Sequence, residues 1–215
     1  MKIDAEPERI AKIISILKKT YPDAKTALHF SSALELLIAT ILSAQCTDTR
    51  VNEVSEKLFV KYPSAKAYAK ADLTELEQDI RPTGFFHNKA KNIKACCELL
   101  ESKFHGEVPE KIEDLTRLPG VGRKTANVVL GNAFHIPALV VDTHVKRVAA
   151  RLGLTSQKDP DKIEQELMKI IPREEWTLFS HLLIFHGRQI CKAPKPLCPR
   201  CPVAELCPSY SLFYG

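Results

Sequence analysis

A hairpin rich in proline and glycine restricts the local fold more than any other part of this 215-residue chain. The residues before Pro119 have helical character, and proline stops a helix from continuing because it lacks a backbone N–H and its ring clashes with the preceding turn. We expect Gly120 and Gly122 to supply the positive φ angles of a tight reversal. Apolar residues at 126–130 then predict a second helix that begins near Arg123. The sequence therefore predicts two helices joined by a glycine hairpin.

This hairpin either binds an anion or only turns the chain. Backbone N–H groups at a glycine turn and a helix start suit an anionic oxygen such as a phosphate. The glycines alone fit a plain helical hairpin equally well, and Lys124 favours the functional interpretation. The helix dipole disfavours a cation in this first turn by only about 0.3–1 kcal/mol, so desolvation in a cleft would be needed to release a neutral amine. Such an amine can attack a sugar C1′ and form a Schiff base, whereas a charged lysine would only contact phosphate.

A carboxylate ends the apolar run 139–141. The next apolar residues, at 145, 148, 149 and 152, have helical spacing and predict a helix from about Thr143. Asp142 is then an N-cap candidate, and the cap explains this residue without any chemistry. The two roles are compatible if one carboxylate oxygen caps the helix and the other faces a cleft.

Four cysteines near the end of the chain have the spacing C-x6-C-x2-C-x5-C; they are Cys191, Cys198, Cys201 and Cys207. Four thiolates in a short loop can enclose an iron–sulfur cubane or a tetrahedral zinc ion. The spacing favours the cubane because structural zinc sites usually use two close pairs, and only one is present. Two disulfides are the third option, but the chain has seven cysteines and we expect no secretory signal. The other three, Cys46, Cys96 and Cys97, are expected to be buried free thiols.

The charge pattern is compatible with binding to nucleic acid and does not decide it. The formal net charge is +5, and each of the stretches 81–94 and 188–200 carries four basic residues and no acidic one. Both stretches suit phosphate contacts, although solvated loop surface explains either of them separately. No window approaches the ~18 apolar residues of a membrane span, so we expect no membrane partner.

The remaining patterns predict helices and no sheet. An apolar stripe follows Pro7, a more fully apolar helix covers 34–42, and Asp159 with Pro160 opens another helix. A faint internal repeat is also present. Residues 72–76 echo 114–118, and each copy is followed by a glycine-containing turn and a Lys-x-x-Asn-apolar helix start. The repeat predicts two turns that bind a nucleic-acid backbone. Chance similarity of two amphipathic helices is an alternative that explains the repeat equally well.

Together these features resemble the endonuclease III family of DNA glycosylases, within the helix-hairpin-helix superfamily. The resemblance extends from about residue 28 to residue 207. Its elements, in chain order, are Leu42-Ser43-Ala44-Gln45, the hairpin with Lys124, Val141-Asp142-Thr143-His144, His186-Gly187-Arg188 and the four-cysteine loop. The resemblance implies an essential lysine at Lys124, an essential aspartate at Asp142 and a [4Fe–4S] cluster on the four cysteines.

The resemblance also implies an all-α fold of two domains. A six-helix domain containing the hairpin would span residues 27–135, and residues 1–26 with 136–215 would form the iron–sulfur cluster domain. Lys124 and Asp142 would then face each other across a DNA-binding cleft. The cluster would be structural and would present the cysteine loop to DNA, with redox sensing as the weaker alternative.

The implied activity is that of a bifunctional DNA glycosylase and AP lyase in base excision repair. Its partner would be double-stranded DNA with an oxidised pyrimidine or an abasic site, and the damaged nucleotide would be flipped out because C1′ is inaccessible inside the duplex. Asp142 would stabilise the oxocarbenium charge and assist deprotonation of Lys124. Lys124 would expel the base, and the Schiff base would allow β-elimination of the 3′ phosphate. We expect a monomer in the cytoplasm of a bacterium or archaeon, associated with the nucleoid.

Several further DNA contacts follow from the family motifs; they are Gln45, Phe85, Gly120, Gly122, Arg123, His144 and Lys195. Gln45 would enter the space left by the flipped base, and an amide that caps the preceding helix is its alternative. Phe85 falls where family members often carry a leucine wedge. Because the residue here is aromatic, core packing of Phe85 or Phe86 competes with the wedge role.

Three other functions explain part of the pattern. A monofunctional adenine-mismatch glycosylase shares the fold and cluster but lacks this lysine. A non-catalytic hairpin module leaves Lys124, Asp142 and the cysteines unexplained, and an electron-transfer protein explains the cysteines alone.

Overall fold

The computed structural model describes residues 6–214 and is helical, with no strand in that range. Its α-helices, in chain order, are α1 Pro7–Thr20, α2 Ala33–Leu42, α3 Asp48–Lys61, α4 Ala65–Lys70, α5 Leu73–Ile80, α6 Phe86–Phe104, α7 Ile112–Leu115, α8 Arg123–Ala133, α9 Thr143–Arg151, α10 Pro160–Ile170, α11 Trp176–Gln189 and α12 Tyr210–Tyr214. The all-α prediction is confirmed. Over the described part of the chain, each helix is too short or too polar to span a bilayer.

The chain divides into two compact units. One unit is continuous, Ala27–Ile136, and is called the hairpin unit below because it contains Gly120 and Gly122. The other joins the N-terminal segment up to Thr26 with the chain from Pro137 onward, and is called the cysteine unit.

The hairpin unit is built around α2. Ser32 caps this helix, since its Oγ accepts a hydrogen bond from the Glu35 N–H at 3.2 Å. Every residue from Leu36 to Leu42 is buried, and α2 packs against α3, α6 and α8. The apolar run predicted as a helix is therefore the core of this unit, because no face of it is left polar.

The hairpin follows α7 and leads into α8. Gly120 has φ +78°, and a Cβ there would lie 2.9 Å from Asn92 Cβ, so both conformation and space require glycine. Gly122 has φ −86° and ψ 174°, in the extended region open to any residue. The prediction that Gly122 supplies a positive φ is wrong. A Cβ at Gly122 would meet nothing within 4 Å, so the fold itself does not demand glycine at this position.

The cysteine unit packs α1, α9, α10 and α11 around one apolar core. The predicted stripe of α1 is confirmed, since Ile10, Ile13, Ile14 and Leu17 are buried in that core with Val145, Val148 and Phe179. The buried Arg9 guanidinium donates to Leu152 O at 3.1 Å and to Leu206 O at 2.7 Å. Arg9 therefore ties α1 to the end of α9 and to the cysteine loop.

Substitutions of the two hairpin glycines should differ in their effect on the free energy of unfolding. Gly120→Ala should lower the free energy of unfolding by about 1–3 kcal/mol, because alanine is strained in the left-handed region and its Cβ meets Asn92. Gly122→Ser should stay within about 0.5 kcal/mol of the parent, because serine is a good N-cap residue and has open space. Denaturant unfolding of the two variants measures both values, and equal losses would contradict the difference between the positions.

Candidate functional site

Lys124 lies in the first turn of α8, and its side chain is exposed. Among residues 6–214 its amine has no hydrogen-bond or ion-pair partner, so the folded chain assigns it no structural role. The protein alone does not bury this amine. The desolvation that a neutral amine needs, which we expected from a cleft, is therefore not provided by the folded chain itself.

The start of α8 is open to an anion. Gly122 is the N-cap, and no side chain caps the helix there. The first N–H groups of any α-helix lack intrahelical acceptors, and the helix dipole makes this end positive. Since nothing surrounds the place where a Cβ of Gly122 would be, a ligand can approach the backbone closely.

Asp142 caps α9, as predicted. Its Oδ1 accepts a hydrogen bond from the Val145 N–H at 2.7 Å. The other oxygen accepts no hydrogen bond from any residue in the described range 6–214, and the side chain is half-buried. One oxygen therefore maintains the helix while the second remains open to a substrate or a solvent molecule.

His144 is held against α11 by Arg147. The Arg147 guanidinium lies 3.2 Å from His144 Nδ1 and donates to Gly187 O at 2.9 Å. Burial lowers the pKa of His144, the Asp142 carboxylate opposes this shift, and the positive charge of Arg147 adds to it. The guanidinium therefore connects His144 on α9 to the Gly187 carbonyl of α11.

A close helix contact explains the glycine of the His186-Gly187-Arg188 motif. A Cβ at Gly187 would lie 3.1 Å from His144 Cβ and from the Arg147 guanidinium. Sequence reasoning found this motif only by resemblance and missed Arg147. The available signal was a pair of arginines one turn apart, Arg147 and Arg151, on a helix whose other face is apolar.

The four cysteines of the C-terminal loop line one cavity, together with Arg151, His186, Tyr210 and Phe213. Arg151 donates to Lys192 O at 2.8 Å and lies 3.4 Å from Cys191 Sγ, and His186 Nε2 lies 3.5 Å from Cys201 Sγ. Burial raises the pKa of the Cys201 thiol to about 11. A bound cation would therefore be needed to keep the cysteine side chains of the loop deprotonated, as thiolates.

The cavity brings together four free thiols, the donor set of an iron–sulfur cubane. All seven cysteines are free thiols, so the two-disulfide alternative is not formed. Among the described residues, no group of three or more His, Cys, Asp or Glu side chains is placed to hold a metal ion. The four thiols are therefore not gathered around the position of one metal ion.

Two sequence predictions about cysteines and lysines are wrong in part. Cys96 and Cys97 are buried, but Cys46 is partly exposed. In the basic stretch 81–94, Lys89 is buried and Lys94 donates to backbone oxygens, so neither contributes to a phosphate-binding surface. The second basic stretch is confirmed as surface: Arg188, Lys192, Lys195 and Arg200 are all exposed.

Gln45 and Phe85 share an unusual backbone conformation. Both are in the left-handed region, with φ 53° and 49°, and both are exposed. In the described part of the chain the Gln45 side chain makes no hydrogen bond, so it does not cap α2. Phe85 is 63% exposed and core packing does not explain it, whereas Phe86 is half-buried against His87. Strained, exposed residues of this kind are concentrated at functional sites.

Known proteins share both the sequence and the structure. Residues 38–173 match the family described as HhH-GPD superfamily base excision DNA repair protein. The chain is 54% identical to Endonuclease III of Synechocystis sp. over 209 residues, which cover 97% of this chain and 95% of that relative.

Two solved structures are similar over nearly the whole chain. One is a non-covalent Endonuclease III–DNA complex, 48% identical in sequence with a TM-score of 0.91. The match covers 96% of this chain and 97% of the chain in that structure. The other is a trapped Endonuclease III–DNA covalent intermediate, 47% identical in sequence with a TM-score of 0.92. This match covers 98% of this chain and 99% of the chain in that structure. Matches of this extent and identity establish that the chain belongs to the endonuclease III family, within the HhH-GPD superfamily of base excision DNA repair proteins.

Proposed function

We propose that this protein is a bifunctional DNA glycosylase and AP lyase that removes oxidised pyrimidines from double-stranded DNA. The observation that carries the proposal is the exposed Lys124 amine, which has no partner among residues 6–214 and lies at the open start of α8. A relative 47% identical over 98% of this chain is described as a trapped covalent intermediate with DNA, which supports a nucleophile in this fold.

The proposed reaction begins with a nucleotide flipped out of the duplex, since C1′ is inaccessible inside the stack. The Lys124 amine attacks C1′, the bond from C1′ to the base breaks, and the base leaves. Ring opening then gives a Schiff base between Lys124 and C1′. Loss of a C2′ proton and β-elimination of the 3′ phosphate nick the strand, and hydrolysis of the Schiff base releases the enzyme.

Bound DNA would supply the desolvation that the folded chain does not. Because Lys124 is exposed in the free protein, water surrounds its side chain there. A nucleotide seated over it would exclude water and favour the neutral amine. The open oxygen of Asp142 would assist this deprotonation and stabilise the positive charge that develops on the sugar.

The remaining motif residues would bind the DNA backbone and the opened stack. The N–H groups of the hairpin would bind a phosphate, and the space around Gly122 supports this role because the fold does not otherwise need glycine there. Arg123, His144 and Lys195 would add phosphate contacts, and Gln45 and Phe85 would enter the duplex beside the flipped nucleotide.

A [4Fe–4S] cluster bound by the thiolates of Cys191, Cys198, Cys201 and Cys207 would organise the C-terminal loop. The shared cavity and the four-thiol donor set support this assignment. When bound, the cluster contributes folding free energy rather than a chemical step. The loop carries Lys192, Lys195 and Arg200, all exposed, and would present them to DNA.

The nucleophile is tested by reductive trapping. Borohydride should link the parent protein covalently to DNA with an oxidised pyrimidine, because it reduces a Schiff base to a stable amine. Lys124→Gln should give no adduct and keep its DNA affinity. Lys103→Gln, at an exposed lysine near the end of α6, is the control and should trap as the parent does. Undiminished trapping by Lys124→Gln would assign the nucleophile to another residue.

The two roles of Asp142 are separated by two substitutions. Asp142→Asn should keep the helix cap and lose the charge, so the free energy of unfolding should hardly change while base excision falls by roughly 10²–10⁴-fold. Asp142→Ala should in addition lose about 1 kcal/mol of stability. Near-normal excision by Asp142→Asn would mean that the cap is the whole role of this residue.

The cofactor is tested by metal analysis of the purified protein. We expect a yellow-brown protein with about four irons per chain. Cys198→Ser should lower the iron content and the DNA affinity together, while Cys46→Ser, outside the loop, should keep the parent iron content. One zinc per chain without visible absorption would contradict the assignment.

A further inference from the structure

Lys89 is a buried lysine in the hairpin unit with no catalytic assignment. Its side chain lies on α6 and the residue is only 4% exposed. Its Nζ donates to Leu42 O and to Thr83 O, each at 2.8 Å. No carboxylate pairs with it in the described range 6–214. A buried ammonium that binds only carbonyl oxygens is costly, and an apolar residue would fill the site at lower cost.

The two carbonyl groups bound by Lys89 belong to segments that carry the residues proposed to enter DNA. Leu42 is the last residue of α2 and precedes Gln45 by three positions. Thr83 ends the short 3-10 turn Arg81–Thr83 and precedes Phe85 by two positions. Since both oxygens lie at the same distance from one nitrogen, a single ammonium holds the two segments side by side.

Both segments need such support. Gln45 and Phe85 are non-glycine residues in the left-handed region, a strained conformation that persists only where the surroundings impose it. Their side chains are exposed and cannot impose it themselves. Burial lowers the pKa of Lys89, and the nearby Cys46 opposes that shift, so the residue after Gln45 also lies within electrostatic range of Lys89.

The lysines in the two copies of the internal repeat, Lys89 and Lys124, have different environments. Lys89 and Lys124 begin the same Lys-x-x-Asn-apolar pattern near the start of α6 and α8. Lys124 is exposed and without a partner, whereas Lys89 is buried and donates to two carbonyls. One copy of the lysine is available for chemistry, and the other is engaged inside the unit.

We propose that Lys89 is a positioning residue that holds Gln45 and Phe85 in the arrangement needed to enter and stabilise an opened duplex. This inference rests on the proposed function, in which those two side chains occupy the stack beside the flipped nucleotide. It assigns to Lys89 no contact with DNA and no part in the chemical step.

The chain offers a matched control on the same helix. Lys94 Nζ also donates to two backbone carbonyls, Ala69 O at 2.6 Å and Ala71 O at 2.8 Å. Those carbonyls lie at the end of α4, away in sequence from Gln45 and Phe85. Lys89→Met and Lys94→Met therefore each remove one ammonium and two hydrogen bonds from α6, but only the first change releases the proposed DNA-entering segments.

The test compares two substrates for each purified protein. One is an oxidised pyrimidine in a fully paired duplex, which must be opened, and the other is a preformed abasic site in a bulge, which is already open. Lys89→Met should slow excision from the paired duplex about tenfold or more, because the support for opening the duplex is lost. Nicking at the bulge should stay within about twofold of the parent. Lys94→Met should keep the parent ratio of the two rates.

The ratio remains informative if Lys89→Met is less stable than the parent. A smaller folded fraction lowers both rates equally and leaves the ratio unchanged, whereas loss of positioning lowers only the first rate. Adding Lys89→Met to the double variant Gln45→Ala/Phe85→Ala should cause no further fall in the ratio, because the side chains that Lys89 positions are already gone.

Three outcomes would overturn the inference. The first is an equal loss of rate on both substrates for Lys89→Met. The second is that adding Lys89→Met to Gln45→Ala/Phe85→Ala lowers the ratio of the two rates as much as Lys89→Met does alone. The third is a ratio of the two rates in the Gln45→Ala/Phe85→Ala variant equal to that of the parent. A parent protein that neither excises the base nor nicks the abasic site contradicts the proposed function itself, and is distinguished from the other outcomes because no variant is involved.

Discussion

An α-helix leaves its terminal backbone groups without intrahelical partners, and this constraint shapes the candidate site. The start of α8 has no side-chain cap and is open beside Lys124, while the start of α9 is capped by one oxygen of Asp142. The end of α2 gives its Leu42 carbonyl to the Lys89 ammonium. Lys124, Asp142 and Lys89 thus each lie where a helix end is satisfied or left open, and the proposed chemistry uses the open start of α8 and the second oxygen of Asp142.

The C-terminal loop depends on the same kind of interaction, supplied by arginine. Arg9, Arg147 and Arg151 donate to backbone oxygens at Leu206, Gly187 and Lys192, which connects the loop and its neighbours to α1, α9 and α11. Guanidinium groups suit this work because their planar donors stay charged when partly buried. The cysteines therefore line a cavity whose walls are held by the protein, and a bound cluster would add to this scaffold.

Most of the helices and several site positions could be predicted from local sequence. The apolar run of α2, the stripe of α1 and the Asp142 cap depend on residues within one or two turns, and these predictions are confirmed. Gly120 and Gly122 show the limit of such reasoning. Two glycines in one turn look alike in sequence, yet only Gly120 has a positive φ and a close neighbour, Asn92, which comes from another helix.

The sequence by itself determined the all-helical fold, the family and the identity of Lys124, Asp142 and the four cysteines as candidates, because these depend on local periodicity, capping and motif spacing. Only the tertiary structure decided which basic residues face inward and which exposed residues are strained. The sequence predicts Lys89 as a charged surface residue, but its ammonium donates to the carbonyl of Leu42, 47 residues away in the chain. Such a contact depends on how helices pack, and no local pattern of charge or hydrophobicity encodes which lysine will meet a buried carbonyl.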